Sequence, residues 1–111
     1  MREVVILSGV RTAIGDYGGA LKQIAAVDLA SIVVREAVAR ASIDSQEVGH
    51  LVFGNVIHGE PRDMYLARVA SINGGLPQHT SALTVNRLCG SGLQAIISAS
   101  QQILLGDTDV A

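Results

Sequence analysis

Cysteine occurs once in the 111 residues, at Cys89, which excludes an internal disulfide and points to a reducing compartment. Basic residues are few. Lys22 is the only lysine, and no run of lysine and arginine could track a phosphate backbone, so nucleic acid is not an expected partner. Membrane-spanning runs are missing too, because the longest uncharged stretches carry Gln, Ser, Asn and Gly. The opening MREVVILSGV is too short in apolar residues, and carries an acidic one, for a secretory leader. Internal repeats, low-complexity tracts and linkers are also absent. These absences together suggest a cytoplasmic protein without nucleic-acid or membrane partners. With 49% hydrophobic residues and a net charge of −2, the chain can bury one modest core.

What is present alternates. Val4 to Leu7 is a compact apolar run ended by Ser8-Gly9, expected to be a strand buried on both faces. A glycine-bearing loop with Gly15, Gly18 and Gly19 follows. Asp28 is placed to cap a helix whose Leu29, Ile32, Val33, Ala37 and Val38 share one stripe. Leu51-Val52-Phe53 begins a strand that Gly54 interrupts and Val56-Ile57 resumes. Asp63 is placed to cap a second helix, with Leu66, Val69 and Ala70 inward and Gly74-Gly75 at its end. Ser81 to Asn86 reads as a strand and Leu93 to Leu105 as a long helix closed by Gly106. Asp107 to Ala111 starts a further strand. This order predicts an α/β fold with parallel crossovers covered by helices.

Charge is unevenly spread. Between Val69 and Gly106 the only fixed charge is Arg87, so the helix Leu93–Leu105 is expected to be buried on nearly all sides. Arg87 itself then needs a carboxylate or carbonyl partner, which another subunit could supply. The chain has little left to cover that helix, and it stops inside an apolar run. We therefore expect residues 1–111 to be part of a longer protein.

Cys89 lies in NRLCGSGLQA, between a strand and a helix. An unpaired cysteine commonly serves as a small buried hydrophobe. At a helix N-terminus, however, free amides and the macrodipole favour negative charge, and the thiolate is the nucleophilic form. Gly90 and Gly92 would let a carbonyl approach the backbone amides, so nucleophile and oxyanion donors could share one turn. The same letters, Gly90-Ser91-Gly92-Leu93-Gln94-Ala95, also fit the dinucleotide fingerprint G-x-G-x-x-A. That pattern here follows the third expected strand rather than the first, and Asp107 and Asp109 precede the next strand instead of ending it. A hydrolase elbow fails as well, because Arg87 and Ser91 stand where its glycines belong. His50, His58 and His79 show no metal-ligand spacing. Arg62, Asp63 and Arg68 are read as helix-start and solvent-face charges. Met64 and Tyr65 are assigned to core packing, with a substrate tunnel in a partner subunit as the other use.

Three stretches carry a family resemblance: VVILSGVRTAIGDYGGALK, GNVIHGEPRDMYLARVASINGGLP and TVNRLCGSGLQAIISASQQILLGDTDVA. Together they resemble the start of a thiolase, most closely the bacterial β-ketothiolases. The resemblance implies a complete enzyme of five-layer αβαβα architecture, of which residues 1–111 are an incomplete N-terminal half. It implies that Cys89 accepts the acyl group and that its amide helps form an oxyanion hole. Coenzyme A and acyl-CoA are then substrates, no cofactor is held permanently, and the complete enzyme is a homodimer or homotetramer. The family's oxyanion Asn, activating His and second Cys belong to its later portion. A Rossmann-like dinucleotide-binding module and a non-catalytic interaction fragment are the other two readings.

Overall fold

The computed structural model describes residues 2–111. Three helices and two paired strands form it: α1 (Ala26–Ala41), β1 (His50–Gly54), α2 (Leu66–Asn73), β2 (Ser81–Val85) and α3 (Ser91–Leu105). Strands β1 and β2 are parallel, with His50 opposite Ser81 and Gly54 opposite Val85. A single parallel bridge, Val48 to Val110, adds the chain's last residues to this pair. The α/β class and the parallel crossover through α2 agree with the sequence pattern.

Strand alternation assigns the faces. Leu51 and Phe53 point to the core shared with α1 and α2, where Val27, Ala30, Val34, Val48, Leu66, Ala70 and Leu76 are buried. Gly54, of opposite parity, meets Ser91 of α3. The result is three layers, with α1 and α2 on one face of the strands and α3 on the other.

The close approach of α1 and α2 depends on small residues. A β-carbon at Gly74 would lie 2.5 Å from the Ala70 carbonyl oxygen and 2.7 Å from Val34 Cγ1. Gly74 and the positive-φ Gly75 end α2 as expected. Two caps differ from expectation. Helix α1 begins after Ala25, which places Asp28 inside the first turn, where its charge suits the helix dipole but caps nothing. Helix α2 begins after Tyr65, and its Ala67 amide is met instead by Thr84 Oγ1 of β2, at 3.0 Å. A strand hydroxyl thus satisfies a helix-terminal donor across the layer boundary.

The inward stripe of α1 is also rotated. Val27, Ala30, Ser31 and Val34 are buried, whereas Ile32 is exposed and Leu29 and Val33 are half-buried. At 3.6 residues per turn Asp28, Arg35, Glu36 and Arg40 fall on one side, and the buried face is the one opposite them rather than the stripe of Leu29, Ile32 and Val33. That face packs on α2, with Val34 against Gly74. In α2 the buried set is Leu66, Ala67, Ala70 and Ser71, with Val69 only partly covered.

Three expectations are not met. Val4 to Leu7 forms no strand, and Val5, Ile6 and Leu7 are exposed, because no neighbour among the described residues offers a ladder. Val56-Ile57 does not resume β1, although the Asn55 amide still reaches the Val85 carbonyl at 3.0 Å. Helix α3 is not enclosed: only Ser91 and Ala95 are buried, and Ile97 is 40% exposed. Leu93, Ile96, Leu104 and Leu105 are exposed with it. No helix among the described residues is long and apolar enough to cross a membrane.

Two outcomes follow from this packing. Gly74→Ala should destabilise the fold by about 1–3 kcal/mol, the usual cost of forcing atoms into a filled interior, read as a lower thermal midpoint. The bare apolar faces should make the isolated chain self-associate, seen by light scattering at micromolar concentration. A monodisperse monomer would show that these faces hide themselves in solution.

Candidate functional site

The C-terminal ends of β1 and β2 lie side by side, and two loops leave from them. Ligands in parallel α/β sheets gather at this end. Residues 55–65 leave β1, and residues 86–90 leave β2 and carry Cys89. The root of the first loop meets the start of α3. A β-carbon at Gly54 would fall 2.8–2.9 Å from Ser91 atoms, so only bare backbone allows α3 to begin there.

Hydrogen bonds hold the Cys89 turn in a defined shape. Asn86 Oδ1 accepts from the Leu88 amide at 3.0 Å, and the Gly90 amide donates to the Arg87 carbonyl at 3.0 Å. The buried Ser91 hydroxyl accepts from the Arg87 amide at 2.8 Å and donates to the Leu88 carbonyl at 2.7 Å. Leu88, one residue before the thiol, has φ of 47°, a left-handed conformation that costs a branched side chain about 1–2 kcal/mol. The turn carries that strain because Asn86 and Ser91 brace it on both sides.

Cys89 is free and exposed. It precedes the N-cap, Gly90, so the thiol sits just outside the first turn of α3 rather than within it. Among the described residues no hydrogen bond engages the amides of Cys89, Gly92 or Leu93. Nothing lies within 4 Å of the site a Gly92 β-carbon would occupy, so space is open beside those donors. An accessible sulfur next to several free amides suits a nucleophile whose adduct bears a developing oxyanion.

The other candidates fall in varied places. His58 is exposed on the 55–65 loop, at the same end of the sheet as Cys89, and His79 is exposed elsewhere. His50 starts β1, half-buried. Among the described residues no cluster of His, Cys, Asp or Glu could hold a metal. Met64 and Tyr65 are exposed rather than core, because they flank Asp63 in a short 3₁₀ turn, Pro61–Tyr65, whose buried member is Asp63. Asp63 is therefore not a solvent-face charge. Arg68 is not one either: it is half-buried and donates to the Thr80 and Gln78 carbonyls, fastening the loop before β2. Arg62 does pair on the surface, with Glu60. Arg87 is exposed and donates to Gln94 Oε1 one turn into α3, so its partner here is an amide oxygen of its own chain.

Sequence reading missed Asn86 and Ser91. The Asn two residues before an amide it can accept from, and the Ser opening the helix, are both visible as local side-chain-to-backbone motifs. Ser91→Ala should leave the Arg87 amide without its partner and loosen the turn. Amide exchange over residues 87–92 should rise against the wild type, while exchange in α1 stays unchanged.

Comparison with known proteins covers this whole arrangement. Residues 4–111 match the family described as thiolase, N-terminal domain. The Beta-ketothiolase BktB of Cupriavidus necator is 68% identical over 99% of this chain, which spans 28% of that protein's length. The crystal structure of the Bacillus anthracis acetyl-CoA acetyltransferase superposes with a TM-score of 0.88 at 40% identity, over 94% of this chain and 26% of that one. Human mitochondrial 3-ketoacyl-CoA thiolase in complex with CoA superposes with a TM-score of 0.81 at 37% identity, over 85% and 24% of the two chains. Sequence and backbone agree along the same residues, and the chain belongs to the thiolase family.

Proposed function

We propose that this chain supplies the acyl-accepting half of a thiolase site, with Cys89 as the nucleophile. The observation carrying the proposal is an exposed thiol beside unengaged amides, in a braced turn at the carboxyl end of a parallel strand pair. In the degradative direction Sγ of Cys89 attacks the 3-keto carbon of a 3-ketoacyl-CoA. The bond between carbons 2 and 3 then breaks, and the leaving enolate takes a proton to become acetyl-CoA. The acyl group stays on Cys89 as a thioester until the thiol of coenzyme A attacks it and regenerates the enzyme thiol. Condensation runs the same steps in reverse, with the enolate of one acyl-CoA attacking acyl-Cys89.

The residue type suits the task. One thioester replaces another, so the exchange is nearly balanced and runs either way. A serine ester would lie lower in energy and resist return to a thiol. In this reading the Cys89 amide donates to the oxyanion of the tetrahedral adduct. Proton transfer at the leaving carbon needs an acid/base group, which we assign to residues outside this segment. Coenzyme A and acyl-CoA are substrates in this reading, and no resident cofactor enters it. A free catalytic thiol also calls for a reducing setting such as the cytoplasm. In the proposed whole enzyme these residues belong to the N-terminal half of a five-layer, homo-oligomeric protein.

The test uses the C. necator relative with its first domain replaced by this segment. Acetyl-CoA should leave an acetyl group on the tryptic peptide that starts at Leu88. Cys89→Ser should abolish nearly all loss of acetoacetyl-CoA absorbance with coenzyme A, since an alkoxide forms far less readily than a thiolate. Wild-type turnover in that variant would remove Cys89 from the role. The segment alone should show no thiolysis. Quenching of Tyr17 and Tyr65 fluorescence by NAD, without Cys89 acetylation, would favour a dinucleotide site instead.

A further inference from the structure

Asp63 is an anomaly within the 55–65 loop. It is 3% exposed, yet it lies in a loop beside open solvent. Its Oδ2 accepts from the Gly59 amide at 2.8 Å and the Glu60 amide at 3.1 Å, while Oδ1 is buried without a partner. Asp63 is thus the N3 acid of a capping box with Glu60 at the start of the Pro61–Tyr65 turn, which accounts for Oδ2, while the buried Oδ1 remains an unpaired cost.

Its connections run toward the nucleophile. The Asp63 carbonyl accepts from Asn55 Nδ2 at 2.9 Å. The Asn55 amide in turn donates to the Val85 carbonyl, one residue before Asn86. Asn86 holds the Leu88 amide, and Leu88 carries the left-handed backbone that presents Cys89. Gly54, next to Asn55, is the surface on which α3 begins.

We propose that Asp63 is a positioning residue for the Cys89 turn. Resting on the assignment of Cys89 as nucleophile, the proposal is that the Asp63 carboxylate closes the 55–65 loop around Asn55. Asn55 thereby fixes the end of β2 from which the turn springs. Asp63 contacts no reacting atom; it sets where the sulfur and its neighbouring amides stand.

The experiment uses the same full-length chimaera, with active sites counted by acetyl label on Cys89. Asp63→Ala should lower kcat per labelled site about tenfold or more, within the range that small misplacements of a catalytic group produce, with the KM for coenzyme A nearly unchanged. Asp63→Asn keeps an oxygen for the Gly59 and Glu60 amides and should restore turnover to within about threefold. A residue that only supports the fold would reduce the number of labelled sites and leave turnover per site at the parent value. That result would overturn the proposal. If Asp63→Ala yields no folded protein, Asn55→Asp decides: it removes the donor to the Asp63 carbonyl while leaving the buried carboxylate in place. The same fall in kcat per site supports the proposal, and parental turnover per site refutes it. Failure of the Cys89 assignment looks different, since the parent chimaera would then carry no acetyl on Cys89 and the positioning role would fall with it.

Discussion

The placement of Cys89 rests on one steric constraint, the approach of α3 to bare backbone at Gly54. Any side chain there would meet Ser91 at under 3 Å, so the strand end and the helix start could not share that space. Because they do, the loop from β1 and the turn from β2 leave the sheet as neighbours. Ser91, held in that contact, is also the residue that braces the Arg87–Leu88 backbone. One contact therefore locates the helix, the turn and the thiol together.

The strain at Leu88 takes its meaning from this bracing. A non-glycine residue with positive φ persists only where its surroundings overdetermine it. Here two side chains, Asn86 and Ser91, hold the backbone, and neither touches the sulfur through its own polar group. The amides of Cys89, Gly92 and Leu93 take no backbone acceptor in this arrangement. Donors fixed in advance cost little reorganisation when charge develops, which is how a small turn can serve acyl transfer.

The uncovered surfaces belong to the same arrangement. Helix α3 presents its small residues to the strands and leaves Leu93, Ile96, Ile97 and Leu105 bare. The stretch Val5–Leu7 is bare as well. The chain spans about a quarter of the length of the relatives it matches. The expectation of burial for α3 came from its missing charges, and the structure buries only Ser91 and Ala95.

Several features were legible in the sequence because they are local. The alternation of strand and helix, the glycine end of α2, the strand from Ser81 and the thiol at a strand-to-helix junction all depend on neighbours within a few residues. The motif around Cys89 likewise carried the family resemblance without any structure. The inward face of α1 was legible too, since Asp28, Arg35, Glu36 and Arg40 share the side opposite the buried Val27, Ala30, Ser31 and Val34. Tertiary structure alone buried Asp63, whose carboxylate caps the turn leading into α2 from its N3 position, and made Thr84 the partner of a distant helix amide. It also withheld a strand from Val4–Leu7, since a ladder needs a neighbour that a local pattern cannot provide. Propensity and capping act over one or two turns of chain, whereas burial and pairing are settled by whatever arrives from elsewhere.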